Sequence, residues 1–310
     1  MKSKKHLLIV CLLPVTLLIN SQTANDGTGS VYTQKPYDPE AIFFTPEEYD
    51  IKADGKTDVS EALQNAINKV KTEKNFGIVF LPEGRYLISK TIYVPPAVRL
   101  IGYGKERPEI ILARNSPGFQ IPDPENPHPE KYMIFFTGSM VLEGRQPGDA
   151  GAGTFYSAIS NINLRIGDGN PIAVGLRTHF AQHGFVSHMI INTGLGKAGI
   201  SEVGNEIENV RFYGGDYGII SGQTSPSWPV ALTDTWFEGQ RKAAIQCHNT
   251  GFAIVNMHAV NVPVAVEIRE NDIDRLFMED CVFDNVSEAG VVISREQHAL
   301  TQVNLVNISC

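Results

Sequence analysis

Six side chains stand at matching places in a pattern that recurs along the chain: Arg211, Trp236 and His258 at one offset, Tyr213, Glu238 and Asp284 at another. An aromatic ring packs on the apolar face of a pyranose, while charged and amide groups bond its hydroxyls. Two carboxyl groups set across a glycosidic bond can hydrolyse it, at about 5–5.5 Å for retention of configuration and about 6.5–9.5 Å for inversion. Glu238 and Asp284 are therefore the candidate catalytic pair, and Trp236, Tyr213, Arg211 and His258 the candidate substrate-binding residues. Asp216 and Glu267, near bends, are lesser candidates.

What must position these residues is a repeat. From residue 159 onward the unit is apolar, any, Asn or Asp, apolar, any, apolar, as in Ile159 to Leu164, Ile207 to Phe212, Leu232 to Phe237 and Met278 to Phe283. Its polar place is held by Asn161, His188, Asn209, Asp234, Asn256, Asp280 and Asn307, on average about 24 residues apart, a period that marks a stacked repeat. Short strands, Gly and Asn at the bends and no helix within the unit exclude helical and leucine-rich solenoids. The fold is predicted to be all-β, a single-stranded right-handed parallel β-helix of nine or ten turns with an N-terminal capping α-helix.

The polar ladder itself reads as structural rather than catalytic, because Asn and Asp tolerate a tight bend and their side chains can bond to the next turn. Counting from it, the residues at +1 and +3 point inward and those at +2 and +4 outward. Glu238 and Asp284 then lie two turns apart, ~9.6 Å in a regular stack, which suits an inverting pair. Outward carboxylates also merely solvate such a wall, and an outer Trp can pack under a loop.

Ahead of the repeat one clear helix is expected from residue 58 to 70, with Asp58 as N-cap, Glu61 three residues on, and Leu63, Ala66, Ile67 and Val70 on one face. It would cover the open start of the coil. Lys2, Lys4 and Lys5 before the apolar run from Leu7 to Ile19 predict a secretory signal over residues 1–22, too short for a membrane span. Residues 23–45 read as a polar leader and 46–310 as the β-helix, secreted or periplasmic.

Of 310 residues, 42% are hydrophobic and the formal net charge is −8, which excludes a disordered chain and makes nucleic acid an unsuitable partner. Outside the leader, Cys247, Cys281 and Cys310 predict neither a disulfide framework nor a zinc site. His179, His183 and His188 are spaced for a helix but lie in strand territory, so they are weak metal ligands. Asp272, Asp274, Glu279 and Asp280 crowd near Arg269 and Arg275 without an EF-hand spacing, and read as a solvated turn.

The stretches Asp54-Gly55-Lys56-Thr57-Asp58, Ile78 to Tyr86 and Val98 to Gly104 resemble the opening of the pectate-lyase-superfamily β-helix domain. The later stretch from Gly214 through Phe237 to Ile245 is similar to glycoside hydrolase family 55, which cleaves β-1,3-glucans. The resemblance covers about residues 46 to 310. The polygalacturonase signatures Asn-Thr-Asp, Asp-Asp, Gly-His-Gly and Arg-Ile-Lys are missing, and family 55 resembles two β-helices in a longer chain.

The resemblance implies an exported, carbohydrate-active protein, a glycoside hydrolase or its N-terminal β-helix half, with a polysaccharide or oligosaccharide as partner. The acidic chain favours a neutral β-glucan over pectate. No cofactor is required for hydrolysis; calcium enters only if the chain is a polysaccharide lyase. A glycan-binding, adhesin-like β-helix is the third alternative. Because the last unit reaches Cys310 in mid-strand, a C-terminal continuation or second β-helix is expected to cover that end.

Overall fold

The computed structural model describes residues 28–122, 129–222, 229–269, 273–293 and 300–310; the expected signal segment lies outside them, as does Asp272. The chain winds as a right-handed parallel β-helix. Among the described residues its strands form two parallel sheets, of fifteen and eight strands. Eight turns close through the second sheet, fewer than the nine or ten expected. The difference is length spent in the loops at 113–122 and 137–157 and in Ile42–Phe43 and Leu300–Val306, which add single strands at the two ends of the first sheet. The first of these strands pairs with Gly77–Pro82, and Ser30 and Val31 bond Asn161, so part of the expected leader is laid along the coil.

One residue per turn makes the coil possible. Asn161, His188, Asn209, Asp234, Asn256, Asp280 and Asn307 all have φ between 49° and 57°, the left-handed conformation, at the same place in successive turns. A single residue there turns the chain sharply enough for one strand to run on both sides of the corner, as in Glu206–Gly214 and Val230–Glu238. Asn and Asp adopt it at less cost than other residues, and stacking lets them bond one another: Asn256 Nδ2 donates to Asp234 Oδ1 at 2.6 Å, and Asn307 donates to Asp280. A second left-handed column closes the next corner at Gly194, Gly214, Gly239, Asn261 and Asn285, where Asn285 Nδ2 donates to Asn261 Oδ1.

Between the corners, residues at +1 and +3 are buried as their alternation requires: Met189 and Ile191, Val210 and Phe212, Met257 and Ala259. Phe212 and Phe237 stack inside with ring centroids 4.6 Å apart. They leave no room opposite: a Cβ on Gly199 would stand 2.6 Å from Phe212, and one on Gly218 2.4 Å from Phe237. The glycines in the second sheet are thus the complement of the phenylalanines in the first.

Among the described residues there are two α-helices, α1 (Pro46–Tyr49) and α2 (Ser60–Lys74). α2 buries Leu63, Ala66, Ile67 and Val70 against the open first turn, as its periodicity predicts. The edge is also satisfied. Gln64 accepts from Tyr93 N at 2.8 Å and donates to Tyr93 O at 2.9 Å, supplying the partners that a missing strand would give. The expected capping box does not form. Val59 is the N-cap, and the Asp58 carboxylate accepts from Ser60 N and the hydroxyls of Ser60 and Ser89, because a preceding strand has already fixed its direction.

At the other end, the strand Leu300–Val306 pairs with Ile273–Glu279, and Leu305 and Val306 are exposed. Cys247 and Cys281 are buried and Cys310 is exposed. No helix among the described residues is long and apolar enough to cross a membrane.

The corners can be tested at Asn161, which is buried and whose amide donates to Gly102 O and Ser30 Oγ while accepting from Val31 N. Asn161→Ala should destabilise by roughly 3 kcal/mol, from ~1–2 kcal/mol of left-handed strain and ~1–3 kcal/mol of stranded buried bonds. Asn161→Gly removes the bonds without the strain and should cost ~1 kcal/mol less. Thermal unfolding of both variants checks the order; equal melting points would remove the conformational part.

Candidate functional site

The outward strip of the first sheet is built as its alternation predicts. Arg211, Trp236, His258 and Val282 are register partners in consecutive turns, and so are Tyr213, Glu238, Val260 and Asp284. Glu238 and Asp284 are separated by one intervening strand, a backbone separation of ~9.6 Å. Trp236 is half-buried, and its Nε1 donates to Glu238 Oε2 at 2.9 Å. The Arg211 guanidinium lies 5.2 Å from the indole centroid, and the His258 ring stacks at 5.0 Å from the strand on the other side. Both faces of the indole are therefore met by protein, and its N–H is in use. Earlier in the strip, Glu109 takes Arg85 and Arg165 in ion pairs. The strip is flanked by a one-residue bend on one side and a short Gly or Asn corner on the other, and neither can raise a wall.

The second sheet faces outward differently. One line carries Tyr132, Val174, Ala198, Tyr217, Ala243 and Val264, packed as a small apolar cluster outside the main core. Beside it, in register, run Phe135, Arg177, Ser201, Ile220, Gln246 and Glu267. Gln246 Nε2 donates to Tyr217 Oη at 2.9 Å and to Glu267 Oε2 at 2.6 Å. Aromatic rings and bonded polar groups thus alternate along a face that has loops at its carboxyl end, at 137–157, 178–184, 202–205 and 248–251.

The rim at the amino end of these strands is an ion cluster. Asp216 pairs with Arg241 at 2.8 Å, Lys242 at 3.4 Å and Lys197 at 3.6 Å, and both lysines lie over the Tyr217 ring. Burial works to raise the pKa of Asp216, but the bond from Arg241 and the three positive charges outweigh it and hold the carboxyl below its ordinary value. Asp216 is thereby an anchor for three cations and is unsuited to donate a proton at neutral pH.

The carboxyl-end rim holds a tighter centre. Arg177, only 4% exposed, donates from Nε to Asp149 Oδ1 at 2.8 Å and from Nη2 to Asp149 Oδ2 at 2.6 Å, and from Nη1 to Tyr132 Oη at 3.0 Å. His179 Nδ1 lies 3.1 Å from the same Asp149 Oδ2, and its Nε2 is buried with no partner among the described residues. Burial tends to raise the pKa of Asp149; the bonds from His179 and Arg177 prevail, so it stays ionised at neutral pH. Burial also pushes the Tyr132 phenol up to about 12, against the opposing charge of Arg177. One turn on, Glu202 has φ 54°, rare for a glutamate, and its Oε2 accepts from Gly222 N at 3.1 Å. A Cβ on Gly222 would stand 3.0 Å from Glu202 Oε1 and 3.1 Å from His248 Cε1, so both side-chain tips close on this glycine.

Each expected residue thus has a definite place. Trp236, Tyr213, Arg211, His258, Glu238 and Asp284 lie together on the first sheet, Glu267 and Asp216 on the second. His179, His183 and His188 go to a hydrogen bond with Asp149, an aromatic stack and the bend ladder. Among the described residues no three His, Cys, Asp or Glu gather as a metal site. Sequence reasoning passed over Arg177, Asp149 and Glu202. Arg177 had a signal, the second and weaker repeat of any, Gly or Ala, apolar seen in Val174 to Leu176, Ala198 to Ile200, Tyr217 to Ile219 and Ala243 to Ile245. Asp149 and Glu202 had none, since they lie in loops outside both repeats.

A family model described as "Rhamnogalacturonase A/epimerase, pectate lyase-like" matches residues 43–293. A probable glucan endo-1,3-beta-glucosidase of Arthroderma benhamiae is 29% identical over 130 residues, 41% of this chain and 12% of that protein. The aligned stretch therefore spans about an eighth of that relative's length. In shape the chain is similar to a surface adhesin of Streptococcus pneumoniae, at TM-score 0.43 and 14% identity, over 87% of this chain and 78% of that one. It is likewise similar to the A-module of a mannuronan C-5 epimerase of Azotobacter vinelandii, at TM-score 0.43 and 9% identity, over 86% and 96%.

The Arg177 centre predicts a pH dependence. The folded pKa of Asp149 is depressed, so its contribution to stability is complete above its unfolded value of ~3.9 and is lost as pH falls through the folded value. Asp149→Asn should destabilise at pH 7 by roughly 3 kcal/mol, since it leaves Arg177 buried without a counter-charge. The gap between wild type and variant should narrow below about pH 3.9. Denaturant unfolding at pH 7 and pH 3 measures it; a gap independent of pH would mean that the ion pair carries no stability.

Proposed function

Since the chain belongs to the rhamnogalacturonase A/epimerase, pectate lyase-like family, we propose that it is an exported glycoside hydrolase acting on a β-glucan or a related polysaccharide at the outward face of its second sheet. The observation that carries this reading is the buried Arg177 holding the part-exposed Asp149, with His179 on the same carboxylate, at the rim of the second-sheet face and with Glu202 in the adjoining turn. Tyr132 and Tyr217 are buried, so the part-exposed Phe135 offers the ring face and the fixed polar groups beside it the hydroxyl partners that a sugar polymer needs. A cleft also needs walls, and the loops of this coil gather at the carboxyl end of these strands.

Hydrolysis needs one carboxyl that stays ionised and one that delivers a proton. Asp149 fits the first role, because Arg177 and His179 hold it ionised. Glu202 takes the second. Arg177, which holds Asp149, is the register partner of Ser201, the residue before Glu202, which supports both carboxyls standing at one rim. His179 bonds Asp149 through Nδ1 and so helps to fix that carboxylate. Elimination would instead need an unprotonated base. Burial tends to lower the pKa of Arg177, but Asp149 outweighs it and raises it, so the guanidinium keeps its proton.

A second placement rests on Glu238 and Asp284, with Trp236, Tyr213, Arg211 and His258 as binding residues. Their shared register column two strands apart supports it. The match to a probable glucan endo-1,3-beta-glucosidase supports the β-glucan substrate in either placement.

Incubation with laminarin, polygalacturonate and alginate separates the outcomes. Reducing ends from laminarin without unsaturated products are expected. Ultraviolet absorbance by unsaturated products would make the protein a lyase, and binding without cleavage an adhesin-like module. Glu202→Gln should lower the rate by roughly 100-fold or more, while Glu238→Gln and Asp284→Asn should stay within about threefold of wild type. The opposite pattern would move the site to the first sheet.

A further inference from the structure

The coil carries a second group of exposed rings, on the other side of the loop ridge from the Arg177 centre. Phe76, Phe155 and Tyr156 are 53%, 39% and 38% exposed, and His183 is exposed beside them. Tyr156 and His183 stack with centroids 4.9 Å apart and planes within 11°. Phe76 meets Tyr156 edge-on at 5.4 Å, and Phe155 lies 6.4 Å from it. Arg99 stands over both Phe76 and Tyr156, 5.7 and 6.0 Å from their centroids, and its Nε donates to Tyr156 O at 3.2 Å.

The grouping is built into the backbone. The strand pairings put Phe76, Ala97, Tyr156 and His183 in one column across four turns, just ahead of the first-sheet strands. Ala97, Tyr156 and His183 have φ of 64°, 60° and 60°. A left-handed bend costs a tyrosine more than the Asn or Gly used at other corners of this coil, so the local fold holds the Tyr156 ring outward at a conformational expense. The small Ala97 lets the rings on either side of it meet.

We propose that Phe76, Phe155, Tyr156 and His183, with Arg99, form an accessory platform that holds a pyranose polymer away from the reacting bond. Stacked and tilted rings offer apolar faces to sugar rings, and the Arg99 guanidinium, the Tyr156 hydroxyl and the His183 nitrogens offer hydroxyl partners. A protein partner would need about 20–30 residues on each side, far more than this narrow column provides. The platform is also joined to the Arg177 centre. The loop 137–157 carries Asp149 and Tyr156, and the loop 178–184 carries His179 and His183. Four residues span at most ~14 Å, so one extended polymer can cross the ridge and touch both places. The polymer as occupant rests on the proposed glycan-acting function, whereas the platform's binding is tested without cleavage.

Electrophoresis through gels containing laminarin or polygalacturonate, with a polymer-free gel as reference, measures that binding. Wild type should be retarded in at least one of them. Phe76→Ser combined with Tyr156→Asn, which keeps a residue tolerant of the bend, should weaken that retardation at least about tenfold. Cleavage of a short soluble oligosaccharide and the melting temperature should stay unchanged. Should the double variant melt early, His183→Asn alone must still weaken retardation. Equal retardation of wild type and folded variant overturns the platform, as does a wild type retarded in neither gel. Polymer cleavage by wild type with equal binding by the variant would leave the hydrolase reading standing and remove the platform; lost binding without any cleavage would do the reverse.

Discussion

Everything in this molecule depends on a bend made by one residue. A left-handed residue in each turn lets the strand change direction without a loop, and repeating it at the same place in seven turns keeps the strands on either side of the corner in register. Were the corner longer by even one residue in a single turn, every later side chain on that strand would swap faces. The Asn and Asp side chains add bonds between turns, but their first service is conformational, which is why His188 can occupy the same place.

The same constraint decides where function can be built. A one-residue corner raises no wall, so the first-sheet strip with Trp236, Glu238 and Asp284 is open on that side and its polar groups bond one another. Apart from the loop that starts at residue 113, the variable length is instead placed after the second sheet, where loops can grow without disturbing register. Those loops supply Asp149, His179 and Glu202 on one slope and Phe155, Tyr156 and His183 on the other. Asp149 is brought in from a long loop by Arg177, so the ion pair both tethers that loop and sets the charge state of the carboxyl. The interior repays the regularity with close packing, seen where Phe212 and Phe237 occupy the space that Gly199 and Gly218 leave.

The coil, the helix α2 over its open end, and the inward or outward direction of each residue near Asn209 or Asp234 were legible in the chain, because a corner that admits few residue types leaves a periodic signature. Reading Glu238 and Asp284 as outward and aligned follows from counting alone. The Asp58 capping box was misjudged for the opposite reason: a cap depends on the direction in which the chain enters the helix, and the strand Asp54–Asp58 had set it. The meeting of Arg177, Asp149, His179 and Glu202 was decided only in three dimensions. Asp149 stands 28 residues from Arg177 in a loop of no period, and its partner is fixed by where that loop folds back over the sheet. Local periodicity determines the scaffold because each turn repeats the same short-range physics; the candidate site is decided by contacts between segments that share no pattern.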